Sequence, residues 1–158
     1  MVIIKKIGFI ITLFVLVLIG TYKSYAQVQI INIVHISFGK IIVTSSSASI
    51  TIPITTGNRT YVNVVPVSTN DWNRGSFQLQ DLYTTGNNRS ITVTVTSTGG
   101  LTNGSTSIPF TLNTSTLPKT TKKGTTSAVI YLGGTLNFNS IPSDGTYQGT
   151  VDITVAFP

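Results

Sequence analysis

The closing stretch of the chain alternates without a break. Tyr147, Gly149, Val151, Ile153, Val155 and Phe157 fall on one parity, and Thr146, Gln148, Thr150, Asp152, Thr154 and Ala156 on the other. A period of two is the signature of a strand with one face on a core and one in water. Ile91-Thr92-Val93-Thr94-Val95-Thr96 repeats the pattern. Shorter alternating runs predict further strands over 28–36, 40–44, 49–54, 61–67, 76–80, 107–113, 127–132 and 135–139, beside 90–96 and 146–157. Turn residues separate them: Gly57-Asn58, Asn73-Arg74-Gly75, Gly86-Asn87-Asn88, Gly99-Gly100, Asn103-Gly104, Lys123-Gly124 and Asp144-Gly145. Past the N-terminal region no helical periodicity outlasts a turn. The spacing predicts an all-β sandwich of mostly antiparallel strands, in preference to a barrel, whose closure asks for more uniform strand lengths. Pro109, inside the 107–113 run, predicts an edge or a bulge there.

The N-terminal region reads differently. Lys5 and Lys6 precede an apolar run over 7–20, and Ser24-Tyr25-Ala26 supplies small residues two apart. This predicts a secretory signal peptide over 1–26, cleaved after Ala26, and a single domain over 27–158. The alternative is an uncleaved anchor, but the run is shorter than the roughly 20 residues of a spanning helix. The membrane is thus met only during export, with the periplasm, the cell surface or the extracellular space as destination. The chain has no Cys, so the domain must hold by packing and strand pairing. Loss of Lys5, Lys6 and Lys23 with the leader lowers the formal charge from +6 to +3, which gives no case for nucleic acid. Glu is absent, and Thr, Ser, Val and Ile fill the alternating positions, residue types that suit a pleated, half-buried surface.

Chemistry finds little to work with, and the sequence predicts no enzyme and no cofactor. His35 is the sole histidine, beside alternating apolar residues, where a packed or wet-face role outweighs that of a base. No G-x-S-x-G elbow, phosphate loop or calcium loop is present. Asp71, Asp81, Asp144 and Asp152 are dispersed, so neither a metal site nor a carboxylate pair is indicated. Lys119, Lys122 and Lys123 mark a basic loop, read first as a solvated surface and second as a contact for an anionic one. Trp72 stands in a polar loop with Arg74 close by, a pair that could stack on a sugar ring or equally fold back over the sandwich. Tyr147 follows a Gly-x turn, in the manner of a tyrosine corner, and Gly149 marks a bulge or the close approach of a neighbouring strand.

Several segments together resemble a known family. Ile36-Ser37-Phe38-Gly39 is similar to its opening strand. Ala48-Ser49-Ile50-Thr51-Ile52-Pro53 with Gly57-Asn58-Arg59-Thr60 is similar to its second strand and Gly-x-Arg turn. Gly75-Ser76-Phe77-Gln78-Leu79, Ser90-Ile91-Thr92-Val93 and Leu101-Thr102-Asn103-Gly104 match in order. The end matches best: Leu132-Gly133-Gly134-Thr135-Leu136-Asn137-Phe138, then Gly145-Thr146-Tyr147-Gln148-Gly149-Thr150 and an alternating strand. These resemble domain-of-unknown-function family 4402, found in secreted and surface proteins of Gram-negative bacteria, over nearly all of 33–158.

The C-terminal pattern is also similar to spore coat protein U domains and chaperone–usher pilins, which are immunoglobulin-like sandwiches. That resemblance implies a non-catalytic, pilin-like or surface-fibre subunit that assembles by strand addition. Its partners would be copies of itself or related subunits, and a periplasmic chaperone. The candidate contact residues are Val28, Ile30, Val34 and Ile36, which share one parity interrupted by Asn32, and Val151, Ile153, Val155 and Phe157 of the last strand. The N-terminal segment would either donate itself to a neighbour or pair with the last strand of its own chain. The other reading is a monomeric surface-binding module, an adhesin or glycan binder, working through Trp72 and Arg74.

Overall fold

A computed structural model describes residues 28–56, 58–82, 88–104 and 106–158. The leader expected over 1–26 and the turn glycines Gly57 and Gly86 lie outside the described residues. Every described element is a strand. In chain order they are β1 (Val28–Val34), β2 (Ile41–Val43), β3 (Ala48–Ile52), β4 (Thr60–Val62), β5 (Val64–Pro66), β6 (Gly75–Asp81) and β7 (Arg89–Ser90). Then follow β8 (Thr92–Ser97), β9 (Gly100–Asn103), β10 (Thr106–Thr114), β11 (Thr120–Thr121), β12 (Ile130–Phe138) and β13 (Val151–Ala156). All named pairings are antiparallel.

The main sheet is organised on β12. Leu132–Leu136 pair with β10 along one edge. The other edge is divided, with Ile130–Leu132 on β6 and Gly134–Phe138 on β3. β1 extends the sheet beyond β6, β4 beyond β3 and β9 beyond β10. Facing it are β8 paired with β13 and the β2–β5 ribbon, so two layers enclose the core. One half of that core sets Phe77, Leu79, Ile130 and Leu132 against Ile91 and Val93, with Val151, Ile153 and Val155 at its margin. The other collects Ile50, Ile52, Phe38, Phe110, Leu136 and Phe138, with Phe38 meeting Phe110 edge to face at 6.0 Å. Each fully buried side chain of this kind contributes about 1.5–3 kcal/mol.

The structure redraws several predicted boundaries. The runs at 127–132 and 135–139 are one strand, β12, and Gly133-Gly134 is its midpoint. A Cβ on Gly133 would stand 2.2 Å from the Ile52 carbonyl oxygen, and one on Gly134 would stand 2.4 Å from the Phe110 ring. The pair marks close packing of three strands, not a turn. The 61–67 run is split instead, because Asn63 takes a left-handed backbone (φ 53°) and passes the chain from β3 to β2. Gly100–Asn103, expected as turn and loop, is the edge strand β9, and Thr120-Thr121 of the basic loop forms a short ladder with β7. Residues 146–150 lie before β13 and touch β9 through the Thr102–Gln148 bridge. Pro109 sits where β10 changes partner: β9 pairs through Pro109, and the β12 ladder begins only at Phe110, so no β12 partner misses its N–H.

Candidate functional site

Among the described residues β13 and β1 each pair with one strand. β13 pairs with β8 from Val151–Ser97 to Ala156–Thr92. The Thr98 N–H donates to the Thr150 carbonyl, in phase with that register. Antiparallel alternation therefore turns the even-numbered residues of β13 toward β8, and sends the N–H and C=O of Val151, Ile153 and Val155 the other way. In β6, Leu79 and Asp81 bond toward residues 125–127, which leaves Gln78 and Gln80 facing β1. Their partners there are Ile31 and Gln29, so Val28 and Ile30 turn their backbone groups to the outer edge.

A cleft of about 1400 Å³ reaches Ile30, Ile33 and Val34 of β1, the whole of β2, and Val151 and Ile153 of β13. One wall runs from Ile30 through 33–43, and the other through 141–151 to Ile153. Its floor is core: Ile108, Phe110, Leu132, Leu136 and Phe138 all line it. The charged lining residues Lys40 and Asp144 are exposed, whereas Asp71 is half-buried and accepts the Lys40 N–H at 2.7 Å. The rim is apolar, since Ile33 is 56 % exposed and Ile141 62 %, with Val34, Ile42 and Val67 also exposed. Apolar side chains gathered at the mouth of a cleft mark a contact surface better than scattered exposure would.

The two walls run in opposite directions. Val28, which starts β1, is opposite Asp81, and Asp81 holds Arg89. The Arg89 guanidinium lies 4.8 Å over the Phe157 ring. The start of β1 is thus at the end where β13 finishes. Asp81 is only 1 % exposed, and its second oxygen accepts the Thr121 hydroxyl at 2.7 Å.

The predicted contact residues are placed as follows. Val151, Ile153 and Val155 are half-buried against the core, the first two also lining the cleft, and Phe157 is exposed over Arg89. Val28, Ile30 and Ile36 pack against the core. Val34 does not share their side: Asn32 takes a left-handed backbone (φ 52°), the register slips between Ile31 and Val34, and Val34 faces outward opposite Ser76. β1 pairs with β6, and not with β13 as the cis alternative had it.

Trp72 and Arg74 are occupied with the fold. The indole N–H donates to the Thr69 carbonyl, and the ring stands 5.3 Å from the Arg59 guanidinium. Arg74 donates to the carbonyls of Ile54 and Thr55 and stacks on Tyr131 at 3.5 Å. Tyr147 packs on the core, and its hydroxyl donates to the Ser143 carbonyl four residues upstream. A Cβ on Gly149 would stand 2.7 Å from the Gly100 oxygen, the close approach expected there. His35 is exposed, and its carbonyl accepts the Asn73 side-chain amide. Among the described residues no three His, Asp or Glu side chains gather to hold a metal, and no helix is long and apolar enough to cross a membrane.

Sequence reasoning missed two arginines. Arg59, whose side chain is 4 % exposed, donates to the Phe38 carbonyl at 2.7 Å and to that of Ser68 at 2.6 Å, tying the cleft wall to the 68–72 loop. Arg89 neutralises Asp81. A signal for the second was available: Phe77, Leu79 and Asp81 share a parity, and an acid on the buried face needs a cation.

The fold is an all-β sandwich with an open cleft lined by residues 33–43 on one side and 141–151 on the other. The family described as Domain of unknown function (DUF4402) matches residues 28–157, and the chain belongs to it. No curated protein matches the chain. No solved structure matches it either.

Proposed function

We infer that the chain is an exported, non-catalytic structural subunit of a surface fibre or layer, pilin-like in principle, that joins its neighbours by β-strand addition. One observation carries this reading: the two strand edges flanking the cleft present backbone donors and acceptors above an apolar floor. Unpaired backbone groups at residue spacing call for another polypeptide backbone, and pockets between them call for its alternate side chains. Trp72 and Arg74, engaged in the fold, add nothing to the alternative of a glycan-binding module.

The test is assembly. The full chain, exported with its leader from a Gram-negative host, is expected to give multimers on size-exclusion chromatography with light scattering. Ile33→Asp with Ile141→Asp places charge on the exposed rim without entering the core. That variant is expected to be monomeric and to melt like the parent. A parent chain that is monomeric at every concentration, or multimers that the double variant leaves intact, would overturn the reading.

A further inference from the structure

We propose that the end of the sandwich bearing Lys119, Lys122 and Lys123 docks on an anionic phospholipid surface. None of these residues lines the cleft, so the proposal stands apart from the strand-accepting reading. Charge points to it first. Over residues 28–158 Asp81 cancels Arg89, and Lys40, Arg59 and Arg74 are matched in number by Asp71, Asp144 and Asp152. The whole positive excess therefore sits on one short loop. All three of its lysines are exposed, and among the described residues no acid pairs with them. Asp71 and Asp144 line the cleft instead. Asp152 precedes Phe157 by five residues of extended chain, about 17 Å. That exceeds the Debye length of about 10 Å at 0.1 M salt, so it does little to offset the loop.

The loop is held in place. Thr120 and Thr121 pair with Ser90 and Arg89, and the Lys119 carbonyl accepts the Ile91 N–H at 2.9 Å. The Lys122 carbonyl accepts the Thr125 hydroxyl at 2.8 Å, and the Thr125 carbonyl accepts the Asp81 N–H at 3.0 Å. Backbone and buried Thr121 are thus spent on the fold, and the lysine side chains are left for a partner. Compact ammonium groups on flexible stems suit mobile phosphates, where a fixed planar acid would call for Arg. Two observations choose a bilayer over a soluble polyanion. Leu82, next in the chain to Asp81, is exposed, and apolar contact adds to electrostatic attraction at a lipid surface but not on a soluble polymer. Val28 is opposite Asp81, so the chain upstream, with its apolar run over 7–20, joins the sandwich at this same end. A bilayer that holds that run meets the lysines first, and each lysine near anionic headgroups strengthens the contact.

The test is sedimentation of the exported chain with sucrose-loaded vesicles of phosphatidylethanolamine and phosphatidylglycerol at low salt. The parent is expected to sediment with them and to be released at about 0.5 M salt. Each single Lys→Gln change in the loop is expected to weaken binding about fivefold, and Lys119→Gln with Lys122→Gln and Lys123→Gln about 100-fold. Lys40→Gln, an exposed lysine at the cleft, is expected to bind like the parent. Leu82→Ser is expected to weaken vesicle binding about threefold and to leave retention on immobilised polyphosphate unchanged. A parent that stays in the supernatant, equal binding to neutral phosphatidylcholine vesicles, or a triple variant that binds like the parent would overturn the proposal. So would a loss in Lys40→Gln as large as that of a loop lysine. Retention on polyphosphate as strong as on vesicles, with Leu82→Ser without effect on either, would replace the bilayer by a soluble polyanion. All these changes fall on exposed side chains outside the cleft floor, so multimer formation reads the subunit proposal separately.

Discussion

The Arg89 guanidinium that neutralises buried Asp81 also lies 4.8 Å over the ring of Phe157, so one side chain joins the end of β6 to the tail of β13. A buried acid deprived of its cation is expensive, while the pair as a whole is worth little over an apolar replacement. Arg89→Ala should therefore cost about 3–5 kcal/mol. Phe157→Leu, which keeps apolar area and loses the π face, should cost about 0.5–1 kcal/mol. Asp81→Leu combined with Arg89→Met should recover most of the loss seen in Arg89→Ala. Urea midpoints at constant m-value measure all three. An Arg89→Ala midpoint equal to the parent's would show that the pair does not hold the end of β6 to the tail of β13.

Gly133 and Gly134 give the sharpest contrast with glycines that merely turn. A methyl at Gly133 meets the Ile52 carbonyl oxygen, which is backbone and cannot swing aside. Gly133→Ala should cost roughly 1–3 kcal/mol or more through overpacking where three strands meet. Gly104 has open space about it and a left-handed φ of 60°. Gly104→Ala should lose only the backbone strain, about 1–2 kcal/mol. Thermal melts rank the two, and equal losses would show that β12 relaxes away from β3.

Period two carried most of the fold. Parity correctly aims Val151, Ile153 and Val155 at the core side of β13, and Phe77 and Leu79 at the core side of β6. What it could not supply was the partner of each strand, since pairing is decided between residues far apart in sequence. Hence β1 reads as a mate for β13 and is found on β6. Nor does glycine reveal its own purpose: Gly133-Gly134 and Gly99-Gly100 look alike, yet the first lies inside a strand and the second opens one. The walls of the cleft were half legible. β13 was readable, and β1 was not past Asn32, because the left-handed residue breaks the register and turns Val34 outward while Ile36 returns to the core.

That residue can be tested. Asn tolerates a left-handed backbone better than any β-branched residue. Asn32→Gly should be nearly neutral, and Asn32→Val should cost about 1–2 kcal/mol. The Asn32 side chain also donates to Gln78 at 2.7 Å, but on an exposed surface, so its loss alone weighs little. Amide exchange should speed up across β1 in Asn32→Val and stay at parent rates in β12. Uniform protection in both variants would mean that the bulge places no strain on β1.

Arg59 sets the geometry of the cleft wall at Phe38, and the lone Trp reports on it. Its two terminal nitrogens reach the carbonyls of Phe38 and Ser68, and Asp71 lies 4.0 Å away. Lys offers one compact ammonium in place of a planar fork and cannot serve both carbonyls with the same geometry. Arg59→Lys should therefore leave one buried carbonyl unpaired, at about 1–3 kcal/mol. Arg59→Ala should cost more, since Asp71 then loses its cation. Trp72 rests 5.3 Å from the guanidinium and is the single Trp of the chain, so its emission should shift to the red in Arg59→Ala before global unfolding. The Phe38 wall should loosen with it, and amide exchange at 37–43 should rise more than at 151–156. A red shift with no change in exchange would confine Arg59 to the 68–72 loop and remove it from the cleft.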